Sequence, residues 1–180
     1  MNYGWARGAS ALAMVALLAG TLAGCDRTPP APDETAAQNL RAAEFFLTSN
    51  ARAEGVESLP SGVQYKVVQS GPPGGESPDS NDLVRVDYEG TLTDGTVFDS
   101  SFQRGQPAVF TLGEVVEGWT EALQHMKVGD EWIVYLPPAT AYGETGRPGI
   151  PPNSVLVFRV KLLDIARSPG GGAIAATANG

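Results

Sequence analysis

The sequence has very little of the side-chain chemistry on which most enzymes depend. Its 180 residues include one cysteine, Cys25, and one histidine, His125. A single cysteine excludes an intramolecular disulfide, and His125, beside Lys127 on a predicted helix, is expected at the surface rather than as a base or metal ligand. No His, Cys and carboxylate spacing is typical of a zinc site, and no GxGxxG sequence or P-loop occurs. We therefore predict no metal and no cofactor, and a catalytic triad is excluded if His125 lies outside a cleft.

Basic residues are also scarce. Lys and Arg total 12 against 20 Asp and Glu, which gives a net charge of -8, and no cluster of Lys and Arg interrupts this acidic balance. Such a chain is not attracted to phosphate backbones, so we predict no nucleic-acid partner. The length allows one domain with appendages, but not two domains with sizeable cores.

The N-terminal segment has the pattern of an export signal. Arg7 is followed by an apolar stretch from Ala9 to Ala23, which is shorter than the roughly 20 apolar residues of a membrane-spanning helix. The pattern therefore favours a cleaved segment over a permanent membrane span.

The end of this segment resembles the lipobox of bacterial lipoproteins, in the sequence Leu22-Ala23-Gly24-Cys25. The resemblance implies that residues 1–24 are a lipoprotein signal peptide and that Cys25 carries a lipid. The alternative is an ordinary cysteine at the edge of an apolar segment. Asp26 resembles a retention signal for the inner membrane, so we expect a lipid-anchored protein on the periplasmic face of a bacterial membrane, with the inner membrane favoured.

Four segments follow the signal. Residues 25–35 are polar and proline-rich and are predicted to form a lipidated tether, while 36–58 contain an amphipathic helix from Ala36 to about Ala53. Residues 59–166 are predicted to form the folded domain, and 167–180, rich in Gly and Ala, a disordered tail. The helix is either an association element or a helix that packs on its own domain; its narrow apolar stripe favours the second.

The folded domain has a strand-rich pattern. Leu83 to Leu92 alternates apolar and polar residues, a hairpin turn follows at Thr93 to Thr96, and Glu117 to Met126 shows helical spacing. Val155 to Ile165 is a long apolar run suited to a central strand. The fold class predicted is α+β, with a curved antiparallel sheet of about five strands wrapped around one short helix and preceded by the N-terminal helix.

Within this domain, residues 83–165 resemble the FKBP family of peptidyl-prolyl isomerases, whose pocket also binds tacrolimus and rapamycin. The resemblance is carried by five motifs in order, which are Val86-Asp87-Tyr88-Glu89-Gly90-Thr91-Leu92, Asp94-Gly95-Thr96-Val97-Phe98-Asp99-Ser100-Ser101, Val116-Glu117-Gly118-Trp119, Ala141-Tyr142-Gly143 and Gly149-Ile150-Pro151-Pro152-Asn153.

The resemblance implies a proline-binding pocket. Its catalytic residues would be Tyr88, Phe98, Asp99 and Tyr142, and its substrate-binding residues would be Phe110, Val115, Val116, Trp119, Ile150 and Phe158. By the same resemblance, Trp119 forms the floor, Tyr142 donates to the substrate carbonyl, Asp99 pairs with Arg104, and Ile150 offers its backbone N–H.

The function implied is acceleration of X-Pro isomerisation during the folding of exported proteins. Rotation about this bond must overcome a barrier of ~18–20 kcal/mol but makes and breaks no covalent bond, so it needs neither a base nor a nucleophile. The expected partners are proline-containing unfolded or flexible polypeptides, with tacrolimus or rapamycin as possible ligands, and the chain is expected to be a monomer. Two alternatives are a non-catalytic periplasm-facing chaperone using the same cleft and a structural lipoprotein that associates through its helix.

Overall fold

The computed structural model describes residues 32–168. Four predicted features lie wholly or partly outside this range: the signal peptide, the lipid on Cys25, most of the tether and the last twelve residues of the tail. No helix in the described part is both long and apolar enough to cross a membrane.

The N-terminal helix, α1, extends over Pro32–Asn50. It begins before Ala36, where the sequence placed its start, because proline is well tolerated in the first helical turn and acidic residues near a helix N-terminus are favourable. The end of the predicted tether is therefore helical.

Helix α1 packs against its own domain. Ala43 is buried, the Asn39 side chain donates to the Pro152 carbonyl over 2.8 Å, and the Phe46 and Tyr135 rings lie 6.0 Å apart. These contacts agree with the interpretation of α1 as a helix that packs on its own domain.

Seven strands, two further α-helices and two short 3-10 helices, Leu112–Glu114 and Pro138–Thr140, make up the rest of the regular structure that is described. The strands are β1 (Val56–Ser58), β2 (Gln64–Gln69), β3 (Leu83–Leu92), β4 (Val97–Ser100), β5 (Ala108–Thr111), β6 (Glu131–Leu136) and β7 (Leu156–Ala166). The helices are α2 (Ser101–Arg104) and α3 (Glu117–His125). The strand count exceeds the prediction of about five because short strands such as β1, which falls in the segment assigned to the helix, are too brief to show a period of two.

All strand pairings are antiparallel, and the order across the sheet is β1-β2-β6-β7-β3-β4, with β5 also paired to β3. The long strands β3 and β7 are therefore central. Val84, Val86 and Tyr88 on β3 are buried, as the alternation predicted. Helix α3 buries Trp119, among others, against the same face, so the core and the floor of the site coincide.

The folded part continues beyond Ala166, the predicted domain boundary. The Asp82 carboxylate is fully buried and accepts hydrogen bonds from the Arg167 guanidinium at 2.7 Å and from the Ser168 N–H at 3.1 Å. A buried carboxylate needs such partners, so Arg167 and Ser168 belong to the domain rather than to a disordered tail.

Candidate functional site

An open cavity of about 330 Å³ lies between α3, the central strands and the loop that follows β6. It is lined by Tyr88, Phe98, Asp99, Phe110, Glu114, Val115, Val116, Trp119, Tyr142, Arg147 and Phe158. Every residue that the sequence assigned to the pocket, except Ile150, is in this set. The chain brings them together because β3, β4, β5 and β7 are neighbours in the sheet while α3 packs across it.

The floor of the cavity is a cluster of aromatic rings centred on Trp119, which is only 3% exposed. The rings of Tyr88, Phe110 and Phe158 meet the indole in edge-to-face geometry, with centroid distances of 5.4, 5.4 and 5.3 Å. Such pairs stabilise one another by about 0.5–1.5 kcal/mol beyond area burial. The floor is therefore apolar and held in shape by mutual contact.

Gly90 permits one wall of this cluster. It lies opposite Phe158 in the β3–β7 pairing and opposite Asp99 in the β3–β4 pairing. A Cβ at this position would lie 2.6 Å from Phe98 Cζ and 2.8 Å from Phe158 Cε1. Glycine thus allows the Phe98 and Phe158 rings to meet over the backbone, with centroids 5.5 Å apart.

Asp99 forms a polar edge to the cavity. The Tyr88 hydroxyl donates to one carboxylate oxygen at 2.5 Å, and the Arg104 guanidinium donates both to the other oxygen and, at 3.0 Å, to the Tyr88 hydroxyl. Burial alone would raise the pKa of Asp99, but the hydrogen bonds from Tyr88 and Arg104 outweigh it, so the pKa lies below its usual value. Burial, and then the bond to Asp99, raise the pKa of Tyr88. The site therefore presents a fixed carboxylate whose pairing with Arg104 agrees with the sequence expectation.

Tyr142 lies at the mouth of the cavity with Arg147. The Arg147 guanidinium donates to the Tyr142 hydroxyl oxygen at 2.7 Å, and its central carbon lies 4.9 Å from the centre of the ring. Within the described residues the Tyr142 hydroxyl has no other hydrogen-bond partner, so its own hydrogen is available to a ligand.

Ile150 does not have the position that the sequence implied. It is 3% exposed and outside the aromatic cavity, and its N–H donates to the Arg147 carbonyl at 2.8 Å. The geometry gives no support to the expectation that this N–H serves a substrate, because the loop forms its own antiparallel bridge between Arg147 and Ile150 and uses the donor there.

Sequence reasoning missed two charged residues of the cavity, Glu114 and Arg147. Glu114 is next to Val115, and charges beside turns are usually solvated, so nothing but this adjacency pointed to it. Arg147 is only five residues from Tyr142 in sequence, which placed it in the same loop. The contact between the two side chains is visible only in the folded loop. His125, by contrast, is exposed and not among the lining residues.

The chemistry of the cavity is that of an apolar binding site with a few oriented hydrogen-bonding groups. Its lining contains no cysteine, histidine, serine or lysine, and no group of three or more potential metal ligands is found among residues 32–168. Such a site can bind and distort an apolar ring beside a carbonyl group, and it offers no Ser, Cys, His or Lys side chain as a nucleophile.

Comparison with known families and proteins gives a consistent result. Residues 74–163 match the family of FKBP-type peptidyl-prolyl cis-trans isomerases, and residues 24–67 match the domain amino-terminal to such isomerases. Over 130 residues the chain is 52% identical to the peptidyl-prolyl cis-trans isomerase Mip of Coxiella burnetii, covering 72% of this chain and 56% of that one. It is 44% identical over 137 residues to FkpA of Escherichia coli K12, covering 76% of this chain and 50% of that one.

Solved structures agree with the sequence comparison. The crystal structure of FkpA from Escherichia coli has a TM-score of 0.73 at 43% identity, covering 77% of this chain and 64% of that one. A peptidyl-prolyl isomerase from Pseudomonas syringae has a TM-score of 0.69 at 35% identity, covering 78% of this chain and 100% of that one. The chain spans about half the length of the curated relatives it matches. Sequence and fold together show that this chain belongs to the FKBP family of peptidyl-prolyl cis-trans isomerases.

Proposed function

We propose that the protein catalyses cis-trans isomerisation of X-Pro peptide bonds in unfolded or flexible polypeptides. The observation that carries this proposal is the aromatic cavity itself, with Trp119 at its floor and two polar groups, Asp99 and Tyr142, at its edge. Membership of the FKBP family supports the same activity.

The catalytic effect follows from preferential binding of the twisted amide. As the X-Pro bond rotates, amide resonance is lost and the charge separation between carbonyl and nitrogen falls, so an apolar site disfavours the planar form relative to the twisted one. Each ~1.4 kcal/mol of additional transition-state binding increases the rate tenfold. The rings around Trp119 are suited to hold the pyrrolidine ring, because they enclose it without competing hydrogen bonds.

The polar groups orient the amide. The Tyr142 hydroxyl has a free hydrogen to donate to a carbonyl oxygen, and the Asp99 carboxylate, held by Tyr88 and Arg104, supplies a fixed negative charge. Because neither group has to reorganise when the amide rotates, both can favour the twisted geometry throughout the step.

The test is the cis-to-trans rate of a short peptide with an uncharged residue before proline, measured with the purified full chain and with Phe98→Ala, Asp99→Val and Tyr142→Phe. Each variant should lose a large part of kcat/KM, and tacrolimus should inhibit the wild type. Phe102→Ala is the matched control, since Phe102 is 54% exposed and outside the cavity. Absence of acceleration by the wild type, with aggregation of an unfolded client still suppressed, would transfer the assignment to a non-catalytic chaperone.

We also propose that the protein is a monomer anchored by a lipid on Cys25 at the periplasmic face of a bacterial membrane. The Leu22-Ala23-Gly24-Cys25 sequence supports the lipid, and a relative in Legionella longbeachae, 42% identical over 137 residues, is named outer membrane protein MIP. That name points to the outer membrane, whereas Asp26 favours the inner one.

Mass spectrometry of the N-terminal peptide, with Cys25→Ser as control, tests the lipid, and density-gradient separation of the two membranes decides the location. Sedimentation in detergent tests the monomer.

A further inference from the structure

The contact between Arg147 and Tyr142 is the part of the cavity that neither the motif pattern nor the aromatic cluster explains. Two interactions join the pair, a hydrogen bond of 2.7 Å to the phenol oxygen and stacking of the guanidinium on the ring at 4.9 Å. An arginine side chain has donors but no acceptor. The Tyr142 oxygen must therefore accept, and its one hydrogen is left for another partner.

The loop that carries Arg147 is shaped to hold it there. Arg147 and Ile150 exchange backbone hydrogen bonds of 2.9 and 2.8 Å, and the Asn153 N–H closes the base of the loop on the Gly143 carbonyl at 2.8 Å. Gly146 has a φ of 62°, and a Cβ there would lie 2.5 Å from the Ile150 carbonyl oxygen. The backbone is thus confined before any substrate arrives, which reduces the entropy lost in placing the guanidinium.

The hydrogen bond also changes what the phenol can do. A hydroxyl that accepts from a charged donor is polarised and becomes a stronger donor through its own hydrogen. The stacked guanidinium also restricts rotation of the ring. Both effects act on the hydrogen that, in the proposed function, is donated to the carbonyl oxygen of the bound X-Pro segment.

We propose that Arg147 is a positioning residue for isomerisation, which orients the Tyr142 hydroxyl and strengthens it as a donor to the substrate carbonyl. This inference rests on the proposed function and adds to it a residue that acts through Tyr142 rather than by contact with proline. It accounts for a charged side chain at the mouth of an otherwise apolar cavity.

A double-mutant cycle tests the proposal, using the full chain and a peptide with no charged residue near its proline. Arg147→Ala should lower kcat/KM by about three- to tenfold in the wild type, the range of an ordinary hydrogen bond, because Arg147 is exposed and acts on the substrate only through Tyr142. In a Tyr142→Phe background the same change should cost less than about 1.5-fold, because the group through which Arg147 acts is already gone. Arg159→Ala is the matched control, because it removes the same charge at a site away from the cavity. Arg159 lies on β7 and pairs with Glu131.

The outcomes separate the possible explanations. Equal losses in both backgrounds would mean that Arg147 acts on the loop or on the general field of the cavity, and would overturn the proposal. No loss in the wild-type background, or an equal loss in Arg159→Ala, would also overturn it. Failure of the unmodified protein to accelerate the neutral peptide would instead refute the proposed isomerase function, so the two failures are distinguishable. Unfolding in urea shows whether each variant is folded at the assay temperature.

Discussion

The substitution Gly90→Ala should damage the cavity without unfolding the protein. The added Cβ would lie 2.6 Å from Phe98 Cζ and 2.8 Å from Phe158 Cε1, whereas ordinary contacts begin at 3.4 Å. Both rings must therefore give way, Phe98 by roughly 0.8 Å and Phe158 by roughly 0.6 Å, since carbon atoms at such distances repel steeply. Phe158 is only 7% exposed and enclosed by the core, so we expect the half-buried Phe98 to make the larger shift, into the cavity.

The expected size of the effect differs between stability and activity. Overpacking costs about 1–3 kcal/mol, partly offset by about 0.4–1 kcal/mol because alanine has less freedom than glycine in the unfolded chain. The net loss is small enough for the variant to fold. A displaced ring in the binding site can cost far more in rate, up to about a hundredfold for a shift near 1 Å. We expect a loss of at least about tenfold in kcat/KM.

The assay is the isomerisation rate of the neutral peptide, with urea unfolding on the same samples. Val63→Ala is the stability control, because Val63 is fully buried but does not line the cavity, and its truncation should cost about 2–3 kcal/mol. A Gly90→Ala variant with the wild-type rate would refute the argument, as would a similar rate loss in Val63→Ala, which would trace the effect to stability alone.

Three further predictions concern charges and backbone. Asp82→Asn should lower the free energy of unfolding by about 1–3 kcal/mol at pH 7. Burial opposes ionisation of Asp82, but hydrogen bonds from Arg167 and two backbone N–H groups outweigh it and hold its pKa below the usual 3.8. The stability difference between wild type and Asp82→Asn, measured by urea unfolding, should therefore shrink as the pH falls below 3.8. Glu114→Gln should lower kcat/KM for peptides with Lys or Arg before proline by up to about fivefold at low salt, because Glu114 lines the cavity and has no ion pair among the described residues. Asn153→Ala should lower unfolding stability by about 1–3 kcal/mol, since Asn153 has a φ of 54° and its side chain bonds α1.

Each of these three predictions has its own control. A constant Asp82→Asn difference from pH 7 to pH 3 would contradict the assigned cause. Glu117→Gln removes a nearby exposed charge that does not line the cavity, so an equal shift there would indicate the overall negative charge instead. Asn153→Gly keeps the backbone conformation accessible and should cost less than Asn153→Ala; the reverse order would show that strain is not involved.

Local sequence patterns were sufficient to predict the elements whose periodic pattern extends over many residues. The alternation of Val84, Val86 and Tyr88 predicted β3 and its buried face, because a strand presents every second side chain to the core. The spacing of Trp119, Ala122 and Leu123 predicted α3 in the same way. The motifs around these elements indicated the family, and the resemblance pointed to the aromatic residues of the cavity. Motifs of this kind can be recognised without coordinates, because they depend only on residue type and order along the chain.

Short elements and loop contacts were beyond that reasoning. The strand β1 has three residues and forms only by pairing with β2. The sequence offered no local partner for the N–H of Ile150, whereas in the fold this N–H donates to the carbonyl of Arg147. Arg167 was predicted to lie in the tail, but its guanidinium donates to the carboxylate of Asp82, which is 85 residues away in sequence.

The sequence by itself therefore determined the fold class, the family and the aromatic lining of the cavity, because these depend on side-chain type and local period. Tertiary structure alone decided which polar groups are occupied and which are available to a ligand. Asp99 is held by Tyr88 and Arg104, Tyr142 accepts from Arg147, and Ile150 is satisfied within its loop. The physical reason is that a hydrogen bond depends on distance and direction between groups that the chain brings together only when it folds.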